Sequence, residues 1–509
     1  MKDVQDPARR KFLTTTGAAA GAAVSALALP RGAEASGPAP LPNKWDATAD
    51  VLVVGTGFAG LAAAIEARNA SAEVLVIDKM PVPGGNSAIN GGDFCAAGTP
   101  MQKSLGIDDS PELMAKDMLR AGLYLNYPEL ARTVAEQSAA ALEWAQKIGA
   151  QFDRVNYQGG HSVKRAHQLV ERSGSGLVSK QLEKARALGA KIEFRTKVSR
   201  LVVTKDGRIA GVETRRNYRF PNDSSGEVAF IKARRGVVLA SGGFSQNIAL
   251  RQMFDPRLTA DFTSTNHPGA TGEATVAACM AGALSTQMDW IQLGPWTSPD
   301  EKGFGYIPQF VERVVGYGVM VDPATGKRFF KETGNRKERA DAIILLGHPA
   351  VILADTTNTM NMVDPGQLKG ALDNGSLRKF DTLEDLAKAY DMPVGPFVEQ
   401  VKRWNGFVEK KKDPELDCMI FKDAAPNVKP PYYAARLWPR VHFTMGGLAI
   451  NKDARVVGLD LKPMAGLYAA GEAAGGIHGA VRLGGCSMPA CVIFGRIAGQ
   501  NAGKEKPWG

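Results

Sequence analysis

The chain has 509 residues, 44% of them hydrophobic and 22% charged, and its formal net charge is +10 at pH 7. These values are ordinary for a globular protein of two or three domains, and they exclude a disordered or fibrous chain. The positive charge suits anionic substrates or acidic electron donors. Nucleic-acid binding is disfavoured because Lys and Arg are scattered and form no basic stripe.

The first 35 residues have the pattern of a bacterial export signal. The pair Arg9-Arg10 precedes a weakly apolar run over 17–29, and an A-x-A cleavage site follows at 33–35. An uncleaved membrane anchor is the alternative, but the run is short and rich in Ala and Gly for a hydrocarbon core of about 30 Å. The pattern predicts a twin-arginine signal peptide, a periplasmic protein and no stable membrane span after cleavage. This export route resembles one used by proteins that fold and acquire a cofactor before they cross the membrane, so the signal also indicates a bound cofactor.

Residues 50–78 have the pattern of a dinucleotide-binding unit. An apolar strand over 50–54 leads into a G-x-G-x-x-G turn, an Ala-rich helix over 61–69 and a second apolar strand over 73–77. Such a unit places a helix N-terminus against a pyrophosphate. The correct order of all its parts predicts a bound dinucleotide.

The glycines of this turn have distinct predicted tasks. Gly55 makes the tight turn, Gly57 lets the backbone approach the pyrophosphate, and Gly60 lets the helix pack on the strand. Asp78, at the end of the second strand, is placed to accept hydrogen bonds from a ribose hydroxyl.

A second glycine-rich segment, 81–92, favours FAD over NAD. It resembles the segment that lies along the pyrophosphate and the isoalloxazine ring in two-domain flavoproteins; a surface loop is the alternative. Further strands ending in small residues, at 236–243 and 466–472, resemble strands with which the chain returns to a flavin domain. We predict non-covalent FAD, with candidate contacts at Gly55, Gly57, Ala59, Gly60, Asp78, Lys79, Asn86, Ser87, Gly91, Gly92, Val198, Gly242, Glu273, Phe443, Glu472, Ser487 and Met488.

The five cysteines form no C-x-x-C or C-x-x-C-H unit. This spacing disfavours a disulfide framework, an ordinary zinc site and covalent c-type haem, and we predict no metal. Cys486 and Cys491 are expected to be small buried residues, with a redox thiol near the flavin as the alternative.

Three more motifs indicate a family. The segment 326–336 ends in an arginine, 442–447 has the pattern H-x-T-M-G-G, and 475–485 has the pattern G-G-x-H-G-A-x-R-L-G-G. With these motifs, residues 46–503 resemble the flavin subunit of soluble periplasmic fumarate reductases and their relatives, the flavocytochrome c and urocanate reductase group.

The resemblance implies an active site that reduces the carbon–carbon double bond of a small α,β-unsaturated carboxylic acid. By this resemblance, Arg482 and His442 hold the substrate carboxylate beside Gly485. Arg336 delivers a proton to the substrate, and Glu312 passes a proton to Arg336. A guanidinium suits a carboxylate because it makes two parallel hydrogen bonds. A dehydrogenase that runs the reverse reaction and a non-catalytic flavin carrier are the alternatives.

Three positions depart from the fumarate reductase pattern. Gly294 replaces a histidine and Val311 replaces a threonine, both expected beside the second carboxylate of fumarate; Val315 replaces a second relay arginine. The neighbouring Arg313 would point to the opposite side if this segment is a strand. Because a buried carboxylate without donors is costly, fumarate is a poor fit.

Gly294 is expected to leave room for a bulkier monocarboxylate. Trp290, Trp296 and Phe443 could supply apolar or stacking walls, although aromatic residues at these positions could equally be core. An acid of the urocanate, cinnamate or acrylate kind is therefore predicted.

The motif order predicts an α/β protein with a Rossmann-like, glutathione-reductase-type FAD domain over 45–288 and 441–509. An α+β capping domain over 289–440 is inserted into it, and its closure would exclude water from the reaction. Within the first part, 110–148 has helical spacing and 198–208 has the pattern of a hairpin.

The sequence contains no haem-attachment motif, so electrons must come from elsewhere. A separate periplasmic c-type cytochrome is the expected donor, which the positive charge of the protein would attract.

Overall fold

The computed structural model describes residues 37–301 and 305–509. The predicted signal peptide lies outside the described residues. Within the described ranges, no helix is long and apolar enough to cross a membrane.

The strands of the described residues are as follows in chain order: β1 (Ala47–Val54), β2 (Val74–Ile77), β3 (Asp93–Cys95), β4 (Phe152–Asn156), β5 (Ala166–Leu169), β6 (Lys191–Glu193), β7 (Lys197–Val203), β8 (Ile209–Arg216), β9 (Glu227–Leu239), β10 (Ser285–Thr286), β11 (Ile291–Gly294), β12 (Val319–Val321), β13 (Ala350–Ala354), β14 (Arg378–Phe380), β15 (Tyr432–Leu437), β16 (Arg440–Thr444), β17 (Gly447–Leu448), β18 (Arg455–Val457) and β19 (Pro463–Ala469).

The α-helices of the same residues are as follows: α1 (Phe58–Asn69), α2 (Asn86–Ile89), α3 (Pro100–Ser104), α4 (Pro111–Ala121), α5 (Pro128–Lys147), α6 (Ser175–Ala187), α7 (Ile248–Phe254), α8 (Glu273–Met280), α9 (Tyr306–Val314), α10 (Arg336–Leu346), α11 (Thr356–Met362), α12 (Pro365–Asp373), α13 (Leu383–Ala389), α14 (Val394–Lys410) and α15 (Ser487–Lys504).

A sheet of eight strands forms the base of the molecule. Its main path is β18-β19-β9-β1-β2-β6, and β7 and β8 extend from β9. The pairs β1–β2, β1–β9, β9–β19 and β2–β6 are parallel. Val51, Leu52 and Val53 are 0% exposed, as expected for a parallel strand covered on both faces. The strands predicted at 236–243 and 466–472 lie side by side in this sheet as β9 and β19. The assignment of both to one flavin domain remains a prediction.

Two local predictions are confirmed. The strands β7 and β8 pair antiparallel as the predicted hairpin. The predicted helical region 110–148 forms α4 and α5, with a break over 122–127.

A second, antiparallel sheet has the order β12-β13-β15-β14. Alternating side chains of its strands enter two separate apolar cores. Met320 and Ile352 pack with Phe310 of α9 on one face. On the other face, Val351 packs with Trp404 of α14. The sheet lies within the predicted insertion 289–440, whose limits remain a prediction.

The chain enters and leaves this insertion through paired strands. β11 pairs antiparallel with β16, and Gly294 is opposite Arg440. This pairing brings a Cβ placed on Gly294 within 3.6 Å of the His442 Cβ. Two segments nearly 150 residues apart in sequence are thereby adjacent at the candidate site.

The segment around Arg313 is the helix α9 and not a strand. The interpretation that places Arg313 on the opposite side of a strand is therefore wrong. Glu312 and Arg313 instead both line one cavity.

The helices α1 and α15 are in close contact through small residues. A Cβ on Gly495 would lie 2.3 Å from the Ala59 carbonyl oxygen, and one on Gly499 would lie 2.2 Å from the Ala63 oxygen. Since residue numbers rise together along both helices, the helices run parallel. Their N-termini therefore lie at the same end of the molecule.

We predict that Gly499→Ala destabilises the protein, because the added methyl group must push α15 away from α1. Overpacking of this kind costs about 1–3 kcal/mol. Urea denaturation should show a lower free energy of unfolding.

Gly406→Ala is the matched control for this substitution. Gly406 lies inside α14, and its added Cβ would meet no atom within 4 Å. Alanine should stabilise the helix there by about 0.5–1 kcal/mol. Equal stabilisation by both substitutions would contradict the close approach of α1 and α15.

Candidate active site

A long cleft lies at the ends of the parallel strands β1, β9 and β19. It contains about 1360 Å³ of space, including its opening to solvent. Most of the predicted cofactor residues line it, together with two of the predicted substrate residues. The predicted residues in the lining are Gly55, Gly57, Ala59, Asp78, Lys79, Asn86, Ser87, Val198, Gly242, Glu273, Phe443, Glu472, Ser487, Met488, His442 and Arg482.

The tight turn after β1 has the geometry that the glycine pattern predicts. Gly55 has φ +107°, and a Cβ there would lie 2.3 Å from the Ala240 carbonyl oxygen. A Cβ on Gly60 would lie 1.9 Å from the Gly55 oxygen, so Gly60 serves helix packing and does not line the cleft. The N-terminus of α1 consequently faces the cleft, where it suits a phosphate.

Asp78, the predicted acceptor for a ribose hydroxyl, lies in the cleft wall, and its contact with a ribose remains a prediction. Asp78 Oδ2 accepts hydrogen bonds from the Thr56 backbone N–H at 2.9 Å and from its hydroxyl at 2.5 Å. These bonds fix the carboxylate at the cleft wall. Thr56 lines the cleft as well, although the sequence analysis gave it no role.

The inner part of the cleft has room for a planar ring. A Cβ on Gly242, whose φ is +79°, would meet no atom within 4 Å. Burial raises the pKa of Glu472, although the hydrogen bonds that it accepts from the Thr444 N–H and hydroxyl lower it in part. Among the described residues, Ser241 Oγ is a buried polar atom without a hydrogen-bond partner. The open backbone, the helix N-terminus and the polar groups fit a flavin dinucleotide.

Besides Gly60, two predicted cofactor residues lie outside the cleft lining. A Cβ on Gly91 would lie 2.9 Å from Gln309 Nε2, and Gly92 has φ +76° next to the Ser173 backbone. Both glycines therefore form the turn after α2 and allow other segments to approach closely.

Arg482 and His442 are in direct contact at one end of the cleft. Arg482 Nη2 lies 3.1 Å from His442 Nε2, and His442 Nδ1 lies 2.8 Å from the Thr265 hydroxyl. Because arginine can only donate, His442 accepts at Nε2 and carries its proton on Nδ1. Burial, Arg482 and Arg336 lower the His442 pKa well below 6.5, so the imidazole is neutral.

Arg482 is a buried cation with spare hydrogen-bonding capacity. It is 4% exposed, and its Nε has no hydrogen-bond partner among the described residues. Burial and the nearby Arg336 lower its pKa to about 10. An anionic ligand would supply the missing partner and relieve the repulsion between the two arginines.

Arg336 and Glu312 form the predicted pair. Arg336 Nη2 donates to Glu312 Oε2 at 2.9 Å and lies 3.4 Å from Gln158 Oε1. Burial would raise the Glu312 pKa, but Arg336 and Arg339 outweigh it, and the pKa is lowered from 4.5. Glu312 is thus an ionised acceptor for the Arg336 guanidinium.

The space beside Gly294 is filled by Trp296. A Cβ on Gly294 would lie 3.3 Å from the indole, which is edge-on to His442 at 5.0 Å between ring centroids. The Arg336 guanidinium carbon lies 4.2 Å from the same indole ring centroid. The expectation that Gly294 leaves the pocket wider is therefore wrong, because its neighbour two residues later occupies the volume.

The other predicted substitutions are apolar and buried as expected. Val311 is 0% exposed, and Val315 packs in the same apolar core. Phe443 lies under the Arg482 guanidinium, with 4.9 Å between its ring centroid and Cζ. Trp290 is half-buried but does not line the cleft.

Gly485 lies behind the substrate end and outside the cleft lining. It has φ +67°, a Cβ there would lie 2.6 Å from Cys95 Sγ, and its carbonyl oxygen accepts from the Cys95 N–H. Its position is set by close packing. Its predicted contact with the substrate remains a prediction.

The cysteines near this turn are buried thiols. Cys95, Cys486 and His161 have their ligand atoms within 4.8 Å of one another. Arg165 donates to His161 Nδ1 at 3.1 Å, so Nε2 carries the proton and donates to the Gly484 oxygen at 2.7 Å. Neither ring nitrogen is thus left to bind a metal. Cys486 is buried as expected, but Cys491 is only half-buried because it lines the cleft, and desolvation raises its pKa to about 12.

Three residues of the site were not predicted from the sequence. Thr265 positions His442, Gln158 contacts Arg336, and Arg339 contacts Glu312. None lies inside a motif quoted above. Trp296, which was expected as a possible wall, packs against His442 and Arg336.

Comparison with known proteins agrees with this geometry. The FAD binding domain family matches residues 50–488. The acrylate reductase flavoprotein subunit of Shewanella woodyi is 41% identical over 497 residues, which are 96% of this chain and 97% of that protein. The urocanate reductase of Eggerthella lenta is 32% identical, over 89% of this chain and 74% of that protein.

The fold is also that of a solved relative. The open conformation of a flavocytochrome c3 fumarate reductase matches with a TM-score of 0.73 and 33% identity, over 99% of this chain and 81% of that chain. The predicted fold class and family are confirmed. The chain belongs to the FAD-binding family of fumarate, urocanate and acrylate reductase flavoproteins, and it is an FAD-dependent oxidoreductase that acts on carbon–carbon double bonds.

Proposed function

We propose that this protein reduces the double bond of a small α,β-unsaturated monocarboxylate such as acrylate. The observation that supports this choice best is the position of Trp296. Its indole fills the volume beside Gly294, close to His442 and Arg336. An acid with little or nothing beyond its β carbon suits such a site better than a ring-bearing acid. The 41% identity to an acrylate reductase flavoprotein subunit points the same way.

Fumarate is disfavoured by the same wall. Its second carboxylate would meet the Trp296 indole and apolar side chains such as Val311 in place of hydrogen-bond donors. Burying a charge without donors is costly, and an aromatic face repels an anion. One carboxylate is matched by Arg482, but a second is not.

The side chains divide the reaction between them. FAD, held by the cleft residues, supplies the hydride when bound. Arg482 binds the substrate carboxylate and stabilises the negative charge that develops towards it. Neutral His442 accepts from Arg482 at Nε2 and so orients the guanidinium. The hydrogen bond from His442 to the carboxylate that the family resemblance implies requires the proton on Nε2. Arg336 protonates the α carbon and is resupplied through Glu312. Trp296 limits the size of the acid and excludes water from it.

We also propose the periplasm as the location and a separate c-type cytochrome as the electron donor. The first proposal is supported by the twin-arginine pattern of residues 1–35, and the second by the absence of a C-x-x-C-H motif from the sequence. A fumarate reductase (cytochrome) of Shewanella frigidimarina matches 90% of this chain over 77% of its own length.

A panel of acids tests the substrate. Purified protein with bound FAD should use reduced methyl viologen to reduce acrylate. Its kcat/KM for acrylate should be at least about 100-fold above that for fumarate, urocanate or cinnamate, which is the discrimination expected from one poorly matched substrate group. Rapid turnover of fumarate would contradict the argument from Gly294 and Trp296.

Trp296→Ala should change the size preference of the site. We expect kcat/KM for acrylate to fall about 10- to 100-fold and kcat/KM for cinnamate or urocanate to rise, since the removed indole opens the volume beside Gly294. Trp144→Ala is the control because Trp144 lies on α5, away from the cleft. A uniform loss for all acids in Trp296→Ala would mean that the indole sets no size limit.

The pH dependence follows from the shifted pKa values. Glu312 has a pKa below 4.5 and His442 one well below 6.5, so neither changes charge between pH 6 and 9. kcat/KM, which reports the free enzyme, should be flat over this range and fall as pH approaches the Arg482 pKa of about 10. A step near pH 6.5 that disappears in His442→Gln would show that His442 titrates.

A further inference from the structure

Two arginines of one helix share the Glu312 carboxylate. Arg336 donates to Oε2 at 2.9 Å, and Arg339 Nη2 donates to Oε1 at 3.2 Å. Both arginines are in the first turn of α10, three residues apart, and therefore lie on the same side of the helix. The carboxylate thus bridges the arginine next to the substrate position and a second arginine behind it.

The outer side of this bridge faces a cavity that contains about 1880 Å³ of space, including its opening to solvent. Glu312, Arg336 and Arg339 line its inner end. Lys164 and Lys422, which are exposed, line its outer part, so the cavity reaches the protein surface. Solvent therefore has access to the bridge from the side opposite the flavin cleft.

Val315 does not provide the second relay arginine that the family resemblance led us to expect. Its side chain packs in an apolar core. Arg313 lies nearby, but its contact is with Asp93, at 3.8 Å from Nη2 to Oδ2. Of the described arginines, Arg336 and Arg339 are the two with a hydrogen bond to Glu312.

We propose that Arg339 is the second arginine of the proton relay in this protein and passes protons from cavity water to Glu312. The proposal rests on the proposed reduction of an unsaturated acid. One proton moves at each step and no electrons move: Arg336 gives its proton to the substrate carbon, Arg339 gives one to the ionised Glu312, Glu312 passes that proton to Arg336, and cavity water gives a proton to Arg339 and leaves as hydroxide.

The surroundings of Arg339 suit such an exchange. It is 4% exposed, it donates from Nη1 to the Glu332 carbonyl oxygen at 2.6 Å, and its Nε has no hydrogen-bond partner among the described residues. Burial and the neighbouring Arg336 lower its pKa, although Glu312 opposes this. A guanidinium that is held in place but poorly solvated releases a proton more readily than an exposed one.

The two half-reactions separate this role from a structural one. In anaerobic stopped-flow experiments with the FAD-loaded protein, dithionite should reduce the flavin of Arg339→Gln as fast as that of the wild type. Reoxidation by acrylate should be slowed about 100-fold, the scale of a lost proton-transfer group. The solvent isotope effect on the reoxidation of Arg339→Gln should be larger than that of the wild type. Part of the reoxidation rate should return in Arg339→Lys, or in Arg339→Gln with added guanidinium ion.

Lys422→Gln is the matched control. It removes one positive charge from the same cavity without removing a hydrogen bond to Glu312, and it should reoxidise within about twofold of the wild-type rate, since Lys422 is exposed and its charge is screened by solvent. Wild-type reoxidation of Arg339→Gln, or an equal loss in both variants, would overturn the proposal. Slow flavin reduction together with slow reoxidation in Arg339→Gln would also overturn it, by indicating a structural role.

The same experiment distinguishes failure of the proposed function. If acrylate does not reoxidise the wild-type flavin but fumarate does, the proposed substrate is wrong. The variants are then compared with fumarate, and the relay is judged by the same ratio of reoxidation rates. Unfolding temperatures and flavin absorbance of Arg339→Gln and Arg339→Lys identify any variant that fails to fold.

Discussion

The contact between α1 and α15 is the constraint on which the candidate site depends. Glycines of α15 bring its backbone against the alanines of α1, and the helices run parallel. Both N-termini therefore open into the flavin cleft, with Gly57 at one and Ser487 at the other. Two positive helix ends at one place favour an anionic cofactor. The segment that carries Arg482 enters α15 directly, so the same contact also positions the substrate end.

Positive charge at the substrate end is only partly balanced within the protein. Arg336 has Glu312 as its partner, while Arg482 is buried against neutral His442. Burying an unpaired guanidinium is unfavourable, and the lowered pKa of Arg482 reflects this cost. The site is thus arranged so that a bound carboxylate improves the electrostatics of the folded protein. The interaction that binds the acid is therefore the same one that relieves the repulsion between Arg482 and Arg336.

The sequence predicted what lies inside short contiguous motifs. The turn at Gly55 and the acid Asp78 are found where the patterns placed them, because local backbone geometry and nearby residues determine them. His442 and Arg482 lie 40 residues apart, and their contact agrees with the family resemblance, not with a local pattern. The pocket beside Gly294 was predicted wrongly, since the volume depends on how the Trp296 side chain folds back. Arg339 was missed for a related reason: its partner Glu312 lies on a different helix, and only tertiary packing brings them together.

The pairing of β11 with β16 has a mechanical consequence. These strands join the base of the molecule to the inserted segment, and β16 contains His442. The helix α10, which begins at Arg336, packs on the same two strands, because Ala340 of α10 shares one apolar cluster with Leu293 of β11 and Val441 of β16. His442 and Arg336 therefore rest on one support, and a change in the pairing of these strands would displace both side chains together.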